Sequence, residues 1–158
     1  MLKKVSLITV TLAILLAFSL QMTACSKKTA LTDTQFTDLT QQAGYAVTAI
    51  SADTKRFDTT DVTASMQATG PDGKITIEFY VFSSADTALT ASKIVDKNLN
   101  ALGGVWTLTV HSTNSYWRGT NNGTFYFYSL VGDTIVYVQT DNTNKDAVSK
   151  MLKTLGYW

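Results

Sequence analysis

Residues 62–81 read VTASMQATGPDGKITIEFYV. Val62, Ala64, Met66 and Ala68 alternate with polar residues, the period of a half-buried strand. Gly70-Pro71-Asp72-Gly73 follows. Proline presets φ at one turn position and glycine accepts a positive φ at another. Ile75, Ile77, Phe79 and Val81 then resume the alternation. Two alternating runs joined by a tight turn predict an antiparallel hairpin, and the rest of the chain is read outward from it.

Downstream, Ser83 or Ser84 is placed to cap a long helix, with Asp86 in the first turn favouring its dipole. Ala88, Ala91, Val95, Leu99 and Leu102 form its expected buried stripe, and Gly103-Gly104 ends it. A strand over Val105–His111 comes next. Tyr116–Thr120 pairs with Phe125–Val131 across Asn121-Asn122-Gly123, a strong two-stranded turn signal. Gly132-Asp133 turns the chain into a last strand, Thr134–Thr140. Asn142 or Thr143 is expected to cap a final helix with Ala147, Val148, Met151, Leu152 and Leu155 inward. Gly156 stops it and Tyr157-Trp158 close the chain.

Upstream, Ser51–Thr60 is a polar loop whose one large apolar residue, Phe57, is expected to pin it to the body. Tyr45–Ile50 reads as a strand. Before it, Thr32 and Gln35 have capping-box spacing and Leu31 and Phe36 the spacing of a hydrophobic staple. Phe36, Leu39 and Ala43 share one face of the helix so started, and Gly44 ends it.

The element order is α-βββ-α-ββββ-α. Short connections imply a mostly antiparallel sheet of about six to seven strands. The expected class is α+β, a two-layer domain with its helices packed on one face of the sheet. Helix-Gly-aromatic recurs at Gly44-Tyr45 and Gly156-Tyr157, a hint of two similar halves without the residue identity to assert a duplication.

The first 25 residues carry a different signal. Lys3 and Lys4 precede an uncharged apolar run, Val5–Leu20, and Thr23-Ala24 precede Cys25, the one cysteine of the 158-residue chain. This is the layout of a bacterial export signal. Leu20-Gln21-Met22-Thr23-Ala24-Cys25 resembles the lipobox of bacterial lipoproteins, departing from it at Met22, where leucine is usual. The resemblance implies a signal peptide at 1–24, removed on export, and a lipidated Cys25 as the first mature residue. It also implies a membrane-anchored, extracytoplasmic location. The resulting expectation is a short tether at 25–30 and a single domain at 31–158.

The full chain has 13 Lys+Arg and 12 Asp+Glu. Without Lys3 and Lys4 the balance is 11 against 12, a net charge of −1. A near-neutral domain lacks the clustered cations that nucleic acid requires, so no nucleic-acid partner is expected. With Cys25 lipidated no thiol remains for a disulfide or a Cys-ligated metal, and the fold must hold by its core. His111 is the only histidine, and no His pair or carboxylate cluster has metal-ligand spacing. Asp141–Asp146 has acid and amide residues like a calcium loop but lacks its central Gly and closing Glu, so a helix cap is the reading there. Glu78, the only Glu, falls on the face opposite Ile77 and Phe79 and is expected in solvent. There is no G-x-S-x-G elbow, phosphate-binding loop or dinucleotide fingerprint. No enzyme, metal or cofactor is expected.

One feature stands above this background. Phe79, Phe125 and Phe127 alternate onto one face as core. Tyr80, Tyr126, Tyr128 and Tyr137 therefore fall on the other face. They either clothe the sheet's second side, being apolar in body and polar at the tip, or form an exposed contact surface for a carbohydrate, peptide or protein of the cell envelope. Trp106 and Trp117 are assigned to the core. The functional expectation is a lipid-anchored, non-enzymatic lipoprotein, with a binding module acting through the Tyr face as the alternative and an unrecognised enzyme as the remote third.

Overall fold

The computed structural model describes residues 28–51, 56–57, 61–111 and 114–158. Cys25 and the signal peptide expected at 1–24 lie outside the described residues, as does the His111 side chain. The central hairpin forms as read. Strand β2 (Val62–Thr69) pairs with β3 (Thr76–Phe82). In the turn, the Gly73 N–H donates to the Gly70 carbonyl at 2.9 Å and the Gly70 N–H to the Ile75 carbonyl at 2.8 Å. Gly73 has φ +70°, a backbone region only glycine enters freely.

Among the described residues there are three α-helices and seven strands: α1 (Asp33–Gln42), β1 (Ala46–Ala49), β2, β3, α2 (Ala85–Leu102), β4 (Val105–His111), β5 (Asn114–Asn121), β6 (Thr124–Val131), β7 (Thr134–Asp141) and α3 (Lys145–Thr154). This is the expected order. All neighbouring strands are antiparallel, in the spatial order β1-β2-β3-β7-β6-β5-β4. Two meanders, β1-β2-β3 and β4-β5-β6-β7, thus meet where β3 pairs with β7.

The caps explain where the helices begin. At α1 the Thr32 hydroxyl accepts from the Gln35 N–H and the Gln35 side chain accepts from the Thr32 N–H. Of the two serines offered for α2, Ser84 is the cap, in a box with Thr87. The final helix is entered differently from expectation. A 3-10 turn over Asn142–Asn144, capped by Asp141 accepting from the Thr143 N–H, precedes α3, whose own N-cap position is Asn144, without a side-chain capping bond. Val148, Met151, Leu152 and Leu155, at i, i+3, i+4 and i+7, point inward and Ala147, off that stripe, does not.

The expectation of two layers with helices on one face needs correction. Helices α1 and α3 cover one face, packing on Ile77, Phe79, Phe125, Phe127, Val136 and Val138. Helix α2 covers the other, over Tyr80, Tyr126, Tyr128, Ile135 and Tyr137. The domain has three layers. The cause lies in β6 and β7, which carry large side chains on both faces and are buried on both. A sheet of that kind leaves several aromatic rings in water unless each face has its own cover. The α2 crossover between β3 and β4 supplies the second one.

The chain before α1 lies against the body. The Leu31 N–H donates to the Tyr157 hydroxyl at 3.4 Å, and the Lys28 amine sits 5.3 Å from the centre of the Tyr116 ring. Burial lowers the pKa of that amine. The part of the expected tether at 28–30 therefore belongs to the folded unit. Among the described residues no helix is long and apolar enough to cross a membrane.

Candidate functional site

The loop between β1 and β2 brings Arg56 and Phe57 onto the α2 side of the sheet. Phe57 is buried, edge-on to Tyr80 at 4.8 Å and to Phe82 at 5.4 Å, which is the pinning role read from the sequence. Arg56 beside it lies flat on the Tyr137 ring, its guanidinium carbon 3.5 Å from the ring centre. Its Nε and Nη2 donate to the two oxygens of Glu78 at 3.0 and 2.8 Å. The Tyr80 hydroxyl donates to Glu78 Oε2 at 2.8 Å and accepts from the Arg56 N–H at 3.2 Å. Glu78 is thus the anionic partner of a half-buried arginine rather than a solvated residue. A lone acid flanked by aromatic strand positions is itself a signal for a cation supplied from elsewhere, because a carboxylate in such surroundings needs one.

Between this loop and α2 the surface opens into a groove with a cavity volume of about 250 Å³. Its floor is Tyr126, Tyr137 and Gln139 of β6 and β7. One wall is Arg56 and Phe57. The other is α2, with Ile94, Asn98 and Leu102 along the rim and Val95 and Leu99 below. Leu102, expected in the buried stripe, is 46% exposed at this rim. The Tyr137 hydroxyl donates to Gln139 Oε1 at 3.5 Å. Trp106 braces Tyr126 from behind, ring centres 5.7 Å apart.

The tyrosines predicted as an exposed surface are not one. Tyr80 is 0% exposed, Tyr128 1%, Tyr137 4% and Tyr126 9%. Alternation put them on the right face, but α2 lies over that face. The four separate into two roles. Tyr126 and Tyr137 line the groove. Tyr80 and Tyr128 lie beneath it, Tyr80 holding the Arg56–Glu78 pair and Tyr128 reaching the Asp96 carboxyl on α2. Of the two tryptophans assigned to the core, Trp117 is buried, while Trp106 is half-buried and donates its indole N–H to the Gly103 carbonyl at 3.0 Å. Arg56, Ile94, Asn98 and Gln139 escaped the sequence reading because only tertiary packing brings them together.

The charges in the site are compensated within it. Burial opposes the charge on Arg56, but the Glu78 hydrogen bonds and charge outweigh it and hold the guanidinium protonated. Glu78 Oε2 accepts from both Arg56 and Tyr80, and Oε1 accepts from Arg56. Burial first, then the Glu78 charge, pushes the Tyr80 phenol well above its ordinary 10.0; burial and then Asp96 do the same to Tyr128. Neither phenol is a usable acid near neutrality. Among the described residues no three His, Cys, Asp or Glu side chains converge to hold a metal ion.

These phenols dictate an alkaline limit. The folded state binds their protons more tightly than the unfolded chain, where tyrosine ionises at about 10. The stabilisation is complete below that value and is lost as pH rises through the folded values. The melting temperature should therefore drop steeply from about pH 10 upward, and Tyr128→Phe should flatten the drop. A wild-type melting temperature level to about pH 11 would contradict the assignment.

No protein-family model matches the chain, and no curated protein matches it. Among solved structures, the crystal structure of a GTP binding regulator from Thermotoga maritima is similar, at a TM-score of 0.49 and 14% sequence identity, covering 80% of this chain and 88% of that one.

Proposed function

We propose that the chain is a lipid-anchored, extracytoplasmic lipoprotein whose domain binds an uncharged part of a cell-envelope carbohydrate or peptide in the groove beside α2, without catalysing a reaction. The observation that carries the binding reading is the character of the groove. Two tyrosines and the Gln139 amide form its floor, the Asn98 amide stands at its rim, and its one cation, Arg56, is already neutralised by Glu78. Sugar rings and peptide ends offer the complementary mix of apolar faces and hydrogen-bonding edges. Ligand cavities commonly enclose roughly 300–1,000 Å³, so about 250 Å³ suits one sugar ring or one side chain of a longer polymer.

The test uses short oligosaccharides and peptides released from the envelope, titrated against the domain by NMR. Gln139 and Ile94 are exposed. Gln139→Ala should stay within about 0.5 kcal/mol of wild-type stability and weaken binding by about 1 kcal/mol. Ile94→Arg should close the rim and abolish binding. If both variants bind these fragments as wild type does, the groove is not the site.

The anchoring part rests on Lys3, Lys4, the apolar run and Thr23-Ala24-Cys25. Cys25→Ala is expected to release or misprocess the protein and to abolish labelling by a radioactive fatty acid. Unchanged acylation and membrane fractionation in that variant would remove the lipoprotein reading. Lys28 rests on Tyr116, and three residue steps from Cys25 reach at most about 10 Å. An anchor there would hold the Gly132 end of the sheet at the bilayer. The groove floor at Tyr126 lies five residues along β6 from Val131, roughly 17 Å farther out, open to envelope polymers.

A further inference from the structure

The sheet ends on one side in β4, and this edge differs from most. Natural edge strands are blunted by lysine, proline, a bulge or a short length, because their unpaired N–H and C=O groups recruit other strands. At the opposite edge β1 is four residues long. β4 has seven residues in unbroken register with β5, from Val105↔Thr120 to His111↔Asn114, with no bulge. No Lys, Arg, Asp, Glu or Pro occurs between Lys97 and Arg118. Register with Trp117 and Ser115 puts Leu108 and Val110 on the α2 side, yet they are 50% and 67% exposed, and Val105 on the other side is 79% exposed. Helix α2 crosses β3, β7 and β6 and stops short of them.

We infer that β4 is the interface between two copies of this chain, paired antiparallel about a two-fold axis at Leu108. The backbone groups of an open edge are satisfied by another strand, and one register uses the whole of β4. Centred on Leu108, it sets Leu108 against Leu108, Trp106 against Val110, and Thr107 against Thr109. Leu108 and Val110 of both copies then form one strip on the α2 side, while Thr107 and Thr109 meet on the other, a favourable cross-strand pair. Shifting the centre to Thr107 sets Val110 against Gly104 and leaves His111 beyond the strand. No like charges oppose each other, because the strand carries no Lys, Arg, Asp or Glu. The pairing matches the seven residue pairs that β4 makes with β5 and joins two seven-stranded sheets into one, a closed isologous contact.

The experiment uses the full chain with Cys25→Ala, so that an introduced cysteine is the sole thiol. Opposed residues in an antiparallel pair have Cα atoms about 4.5–5.5 Å apart, within the span of a disulfide. Leu108→Cys should give a disulfide-linked dimer under mild oxidation, and Val105→Cys and Val110→Cys should give little, being opposite other residues. Leu108→Lys sets two cations face to face and should raise the dimer dissociation constant at least about tenfold in sedimentation, with the monomer's melting temperature unchanged. Equal cross-linking at all three positions, a wild-type chain that sediments as a monomer at every concentration, or an intact dimer in Leu108→Lys would each overturn the inference. Pairing of β4 with a foreign peptide would appear as the second of these.

Discussion

Phe79→Ala should lower the stability of the domain by about 3–5 kcal/mol, the range for a fully buried phenylalanine. Phe79 is inaccessible to solvent, and its ring stacks on Phe36 at 4.5 Å and 7° and meets Tyr157 edge-on at 6.3 Å. These contacts tie β3 to α1 near the start of the domain and to the segment after α3 at its end. Removing the ring leaves a cavity that three separate elements must close, and close packing of interiors limits how far they can move. Chemical denaturation of the variant should show the midpoint falling with the slope retained. A midpoint within about 0.5 kcal/mol of wild type would mean that the face carrying Phe79 is not the packed one.

Tyr128→Ala should cost a comparable amount, about 3–5 kcal/mol by analogy with the other large aromatic truncations. This outcome separates the two readings the sequence left open, since in one of them Tyr128 belonged to an exposed surface that tolerates truncation. Tyr128 lies under α2 with 1% exposure, its hydroxyl at Asp96. Tyr128→Phe is the control. It keeps the ring, removes the hydroxyl from the buried Asp96 carboxyl, and should cost about 1–3 kcal/mol, the range for leaving a buried polar group unpaired. If the alanine variant melts as wild type does, α2 does not cover the sheet.

The difference between the two readings is instructive. The local rules worked where the deciding residues are neighbours in sequence. Gly70–Gly73 and Asn122-Gly123 set turns by their own backbone preferences, and alternation sorted Phe79, Phe125 and Phe127 from Tyr80, Tyr126 and Tyr128 without error. What alternation cannot supply is the number of covers. A Tyr-bearing face in water and one beneath a helix have the same period, and tyrosine, apolar in body with a polar tip, suits both. The evidence for a second cover was present in α2 itself, whose stripe from Ala88 to Leu99 needed a sheet face of its own. Four strands separate α2 from α3, and that distance hid their placement on opposite sides. The groove was less legible still. Arg56 meets Tyr137 across 81 positions of sequence, and nothing in the local pattern of the polar loop marks it as the lid on an aromatic floor.

Strand β7 occupies the middle of the sheet, between β3 and β6, although it is the last strand in the chain. A growing polypeptide therefore offers β1-β2-β3 and β4-β5-β6 as two separate meanders, each ending in an unpaired strand, until residues 134–141 arrive to join them. Even then Tyr157, wholly buried against the first helix's side of the core, must still be added. β3 and β7 are far apart in sequence, so their pairing is a non-local contact of the kind that is slow to form. Loss of everything from residue 134 onward leaves β3 and β6 as two open β-edges, the kind of surface on which chains aggregate. A nascent chain halted before residue 134 is thus a pair of half-sheets, and the emergence of β7 is the step that joins them.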